Sequence, residues 1–186
     1  MPTRPHLCEV KVGTVLSLLL FVVFGCNRSE KEALSPLYYD LPAFFDNEIQ
    51  RQQGRAIRAE VLWEKDGVTE VQKAVLVDWK EAFSAVKKLD MNKTAYRGSY
   101  SCDSIRNQAQ LTIEYRALTT AVNPQSVRLA FKAGKLIRLD IQTSEKNFLY
   151  TSEGHYSYVP DDTLRISGTQ QVIFGEKHSY KRSYWY

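Results

Sequence analysis

The side chains able to do chemistry are few in this chain of 186 residues. Beyond residue 26 there are two histidines, His155 in Gly154-His155-Tyr156 and His178 in Lys177-His178-Ser179. Neither has a Cys, a second His or a carboxylate at metal-ligand spacing, so the sequence assigns no metal site and no cofactor. Asp161 and Asp162 follow Pro160, where aspartate serves local turn hydrogen bonds. A glycosidase pair needs one carboxyl raised in an apolar cleft, and a turn tip does not offer that. Cys102 follows Tyr100 at strand spacing and reads as a small buried apolar side chain. There is no G-x-S-x-G elbow, P-loop or G-x-G-x-x-G. No catalytic residue is therefore assigned, and the chain reads as a non-enzymatic binding or interaction module. The alternative is a hydrolase of glycans or peptides, its site assembled from the distant His155, Asp161 and Tyr158.

Tyrosine is the unusual residue. Six of the 11 tyrosines fall after residue 148: Tyr150, Tyr156, Tyr158, Tyr180, Tyr184 and Tyr186. Aromatic residues suit strands and pair across them. Exposed, the same rings stack on sugars or grip a peptide. Tyr156 and Tyr158 share one strand face, and Tyr180, Arg182, Tyr184 and Tyr186 share another. A guanidinium rarely lies unpaired in a core, so Arg182 predicts that this face is wet and that Trp185 turns inward. These six residues are the candidate binding surface.

Composition limits the remaining choices. The chain is 44% hydrophobic and 25% charged, with 25 basic and 21 acidic residues. That is a globular composition of about one domain. The net charge of +4 is spread along the chain, which argues against a nucleic-acid partner. The apolar run from Val12 to Phe24 is too short to span a bilayer but fits the core of a signal peptide. It ends in Val23-Phe24-Gly25-Cys26, then a polar stretch. This ending resembles the lipobox of bacterial lipoproteins, with Phe24 where a small residue is usual. The resemblance implies cleavage before Cys26 and diacylglycerol on its sulfur, holding the protein to a membrane without a spanning helix. Residues 1–25 are then a lipoprotein signal peptide, 26–35 a polar tether and 36–186 a single domain.

That domain needs elements to position its side chains. Asp40 caps a helix over about Leu41–Gln53 that Gly54 ends, with Leu41, Phe44, Phe45 and Ile49 on one face. The period then becomes two. Ile57, Ala59, Val61 and Trp63 form one strand face, Asp66-Gly67 predicts a hairpin turn, and Val71, Lys73, Val75 and Val77 face together on the return strand. Asp78 starts a second helix, with Glu81 at capping-box spacing and Trp79, Phe83, Val86 and Leu89 on its apolar side. Seven strand candidates follow: Ala95–Cys102, Ala109–Leu118, Ser126–Lys132, Lys135–Thr143, Phe148–Tyr158, Leu164–Phe174 and Ser179–Trp185. Their alternation and the lack of β-α-β order predict an α+β fold. Two helices pack on a curved, mainly antiparallel sheet of about 8–9 strands, half-barrel-like.

Three stretches carry a family resemblance. They are Tyr38-Tyr39-Asp40-Leu41 leading to Phe44-Phe45, Asp78-Trp79-Lys80-Glu81-Ala82-Phe83 leading to Leu89-Asp90-Met91-Asn92-Lys93, and Ile166-Ser167-Gly168-Thr169-Gln170-Gln171-Val172. Together they resemble a group of cell-envelope lipoproteins of Bacteroidota to which no activity is assigned. The resemblance implies a location in the cell envelope, at the outer membrane, and a strand-rich domain. The expected partners are the membrane, through the anchor, and an envelope protein, a glycan or an apolar ligand. Gly168 reads as a bulge or a close backbone approach.

Overall fold

Short local signals set the elements, and each works as its chemistry requires. The computed structural model describes residues 35–186. The signal peptide of residues 1–25, Cys26 and nearly all of the tether lie outside the described residues. Helix α1 spans Leu41–Gln52, and the Asp40 carboxylate accepts the Ala43 N–H at 2.9 Å. Its face of Leu41, Phe45 and Ile49 is buried. Strands β1 (Arg58–Lys65) and β2 (Val68–Leu76) form a hairpin. The turn needs positive φ at both central residues, and Asp66 (49°) and Gly67 (83°) supply it.

The second helix is shorter than its sequence predicts. Asp78 caps it through Lys80 and Glu81, but α2 covers only Trp79–Ala82. A 3₁₀ turn at Val86–Lys88 follows, and nothing in the local sequence marks the break. Trp79, Phe83 and Val86 are still buried, because the broken helix keeps one side on the core. The Asn92 side chain then accepts the backbone N–H groups of Leu37 and Tyr38 and donates to the Tyr38 carbonyl. Two of the three stretches behind the family resemblance therefore meet in space.

Seven strands complete the sheet: β3 (Tyr100–Asn107), β4 (Gln110–Ala117), β5 (Ser126–Lys132), β6 (Lys135–Lys146), β7 (Tyr150–Val159), β8 (Thr163–Val172) and β9 (Lys177–Trp185). Strand β3 begins five residues later than predicted, and a 3₁₀ turn occupies Thr94–Tyr96. It is an edge strand, exposed from Cys102 onward, so no alternation of burial marked it. The sheet is antiparallel throughout, in the order β2-β1-β9-β8-β7-β6-β5-β4-β3, and it is not closed. The meander thus returns to the hairpin, with β9 inserted beside β1. Among the described residues no helix is long and apolar enough to cross a membrane.

One face of the sheet carries the helices and the core; the other is polar. On the inner face a row of direct cross-strand neighbours runs Ile113, Leu129, Leu139, Tyr158, Leu164, Tyr184, Val61. Phe45 and Phe83 close over it, with Phe83 edge-on to Tyr158 at 5.3 Å. The outer face is laced with ion pairs, among them Arg128 to Glu114 at 3.0 Å and Arg138 to Asp140 at 2.6 Å.

The return strand of the hairpin departs from the predicted pattern. Val75 pairs with Ala59, but Gln72 pairs with Val61, so Lys73 and Ala74 form a bulge. Ala74 sits at φ 56°. Side-chain parity reverses at a bulge of this kind. Val71 therefore faces outward beside Leu62, and Gln72 and Glu70 take the inner face beside Val61 and Trp63.

Candidate functional site

The bulge creates the site. By placing Glu70 and Gln72 on the inner face, it lines that end of the sheet with polar groups where apolar ones were expected. The row next to the core reads Tyr115, Val127, Ile141, Tyr156, Ile166, Arg182, Trp63. It is aliphatic and aromatic until Arg182. There the helices no longer cover the sheet, and an open groove of about 660 Å³ remains. Trp63, Arg182, Tyr184, Glu70, Gln72 and Glu81 are among its walls.

Arg182 is the centre of this groove. Its guanidinium carbon lies 3.3 Å from the centroid of the Trp63 ring and 5.4 Å from that of Tyr184. Such stacking of a weakly hydrated cation on an indole is favourable. One guanidinium nitrogen reaches Glu81 at 3.3 Å, at the end of the short helix α2. The Arg182 Nε is buried and has no hydrogen-bond partner among the described residues. Opposite, the Gln72 side-chain amide donates to Glu70 at 2.8 Å. Trp63 keeps 39% of its surface exposed. The groove thus offers an apolar ring, carboxylates that accept hydrogen bonds and a partly exposed guanidinium.

The structure divides the six candidate binding residues. Tyr158 and Tyr184 are corrections: both belong to the buried row, at 1% and 6% exposure, so neither stands on a wet platform, and Tyr184 only edges the groove wall. Burial raises the pKa of each phenol. The Tyr158 hydroxyl donates to the Glu48 carboxylate, which Arg51 also holds at 2.8 Å. Tyr156 is half-buried in the row beside them, between Ile141 and Ile166. Tyr186 packs edge-on against Trp79 at 4.7 Å, and burial pushes its phenol up to about 12. Trp185 is half-buried on the opposite side of β9. The expected continuous wet face of tyrosines is therefore absent. Tyr180 is exposed, and Arg182 reaches the groove.

Tyr180 explains Gly168. The two are direct cross-strand partners, and a Cβ at position 168 would lie 2.6 Å from the Tyr180 hydroxyl and collide with the Glu153 carbonyl. Gly168 is thus the close approach its sequence suggested, in a ladder without a bulge.

The hydrolase constellation does not assemble. His155 and Tyr158 stand on opposite faces of β7, since His155 pairs with Gln142 and Ser167 while Tyr158 pairs with Leu139 and Leu164. Asp161 is held by Arg51 at 2.8 Å and Arg55 at 3.0 Å. The Arg51 hydrogen bond, with that of Arg55, keeps its carboxyl below the usual range despite partial burial. His178 lies 2.9 Å from Asp66, which also accepts the Ser179 N–H at 2.7 Å. This contact fastens the β1–β2 turn to the start of β9. No hydroxyl or thiol bonds to either histidine among the described residues. Cys102 is a further correction: it is exposed, on the outermost strand of the sheet beside its cross-strand partner Tyr115.

Trp63 and Glu70 are the residues that sequence reasoning missed as site members. The parity switch at Lys73-Ala74 hid Glu70, and Trp63 read as one more core position. Comparison with protein-family models, with curated proteins and with solved structures finds no match to this chain.

Proposed function

We propose that this protein is a non-enzymatic binding module of the bacterial cell envelope, anchored by lipid at Cys26, that takes a glycan in the groove between Trp63 and Glu81. The observation that carries the ligand reading is Arg182, stacked on the half-exposed Trp63 ring in the wall of an open groove. A sugar ring has an apolar face for an indole and hydroxyls for both carboxylates and a guanidinium. A volume of this size lies within the range of small-ligand sites. The anchor rests on Val23-Phe24-Gly25-Cys26 at the end of the apolar run.

Two experiments test the two halves separately. Titration of the chain with soluble peptidoglycan fragments and with neutral and acidic polysaccharides is read by tryptophan emission. A saturable change that Trp63→Ala abolishes is expected. Saturation that survives both Trp63→Ala and Arg182→Ala places the ligand elsewhere and rejects the groove. Cells expressing the wild type should incorporate radiolabelled palmitate, and Cys26→Ala should lose the label. An unlabelled wild type rejects the anchor.

A further inference from the structure

Five large apolar side chains stand in solvent at one end of the sheet. Phe148 and Leu149 form the β6–β7 turn, and Val172, Ile173 and Phe174 lead into the β8–β9 turn. Phe174 is 99% exposed and Phe148 82%. These are not loosely strung residues. The Ile173 N–H donates to the Leu149 carbonyl at 3.0 Å and ties one turn to the other. Asn147 Oδ1 accepts from Leu149 at 2.8 Å and Tyr150 at 2.9 Å, which closes the first turn. The Gly175 N–H donates to the Val172 carbonyl at 3.1 Å and closes the second. The rigid backbone thus holds the apolar groups outward.

We propose that this double tip inserts into the interfacial layer of a lipid bilayer. Its shape and size favour that occupant over a protein. Five exposed large apolar side chains at one end make a patch of a few hundred Å², the size class of the largest on ordinary monomers. A stable protein interface needs about 800 Å² per partner and complementary relief. A protein partner must match the relief of the two turns, whereas fluid lipid closes around projecting side chains. Long basic side chains flank the tip as well. Lys146 and Lys177 stand directly behind the apolar residues, one on each hairpin, and neither has an ion pair among the described residues. Their stems can follow the tip inward while the ammonium groups remain at lipid phosphates. The nearby Glu145 is turned to the Tyr150 hydroxyl, at 2.6 Å, and Glu176 occupies the second turn. This contact uses neither the groove nor a lipid on Cys26, so it stands or falls apart from both.

The test places a reporter on the tip of the full chain. Phe174→Trp is mixed with vesicles of phosphatidylcholine and phosphatidylglycerol whose acyl chains carry bromine. The emission gained over the parent chain should shift to the blue and be quenched. Adding Phe148→Ser and Ile173→Ser should lower the partition of that signal about tenfold or more. All these side chains lie in solvent, so an unchanged denaturant midpoint confirms that each variant is folded. Two results overturn the proposal: reporter emission from Phe174→Trp unmoved by vesicles, whether or not the chain sediments with them, and quenching that survives the two serine substitutions.

Discussion

Tyr158 and Tyr180 point from the same face of one sheet and have opposite surroundings. Tyr158 lies under α1, with Phe44, Phe45 and Phe83 around its ring and its hydroxyl given to Glu48. Tyr180 lies beyond the helices, 39% exposed, its ring resting on the bare backbone of Gly168. Between these extremes, Arg182 meets Trp63 at the border. Along β9 alone, the same face passes from buried Tyr184 through Arg182 to open Tyr180 within five residues. The strand does not change; the cover above it does. Where α1 and α2 lie, the sheet is a core, and where they stop, it becomes a surface with a groove.

Substitutions on either side of that border can break this account. The largest effect is expected under the helices. Trp79 stacks on Phe83 at 5.4 Å and meets Tyr186, so Trp79→Ala should lower stability by about 3–5 kcal/mol in denaturant melts. An unchanged midpoint would mean that α2 is not part of the cover. Next, Tyr184→Ser should cost about 3 kcal/mol, because it opens a void in the buried row.

Alkaline pH probes the covered tyrosines together. Burial holds the Tyr39 and Tyr186 phenols neutral up to about 12, against 10.0 for an exposed tyrosine. The folded pKa is raised, so this contribution is complete below pH 10 and is lost as pH rises from 10 through 12. Stability should fall on the order of 2 kcal/mol by pH 11. Absorbance at the phenolate band would show two classes of tyrosine. A single class titrating near pH 10 would deny the burial.

Smaller effects sharpen the contrast. Tyr158→Phe keeps the ring and removes the hydroxyl that Glu48 accepts. The expected loss is about 1 kcal/mol, since Arg51 still holds the carboxylate. Tyr180→Ser should shift the midpoint by less than about 1 kcal/mol, the upper end for a cross-strand neighbour contact on a half-exposed face. A loss equal to that of Tyr184→Ser would erase the distinction between covered and open rows.

The legible parts of this molecule were those decided within a few residues. Asp40 and Asp78 in their caps, Asp66-Gly67 in its turn and Ser126–Lys132 as a strand all satisfy backbone groups close by in sequence. The α+β class and the nine strands followed from the same short-range patterns. Two kinds of feature were hidden. The bulge at Lys73-Ala74 left no turn residue to announce it, yet it reversed Val71, Gln72 and Glu70. Edge strand β3 showed no alternation, because beyond Tyr100 both of its faces are wet, and Cys102 was misplaced with it.

By itself, then, the sequence determined which segments become strands and helices, which helix face is apolar, and that one side of the sheet must be covered. Alternation fixes which residues share a face wherever no bulge intervenes, and caps and turns fix where the chain reverses. Tertiary structure alone decided how far the cover extends. Glu48 meets Tyr158 across 110 residues of chain, and Glu81 meets Arg182 across 101. The same holds for the tips, where the Ile173 N–H donates to the Leu149 carbonyl. Burial is a property of what packs above a residue, and no local pattern carries the address of a neighbour a hundred residues away.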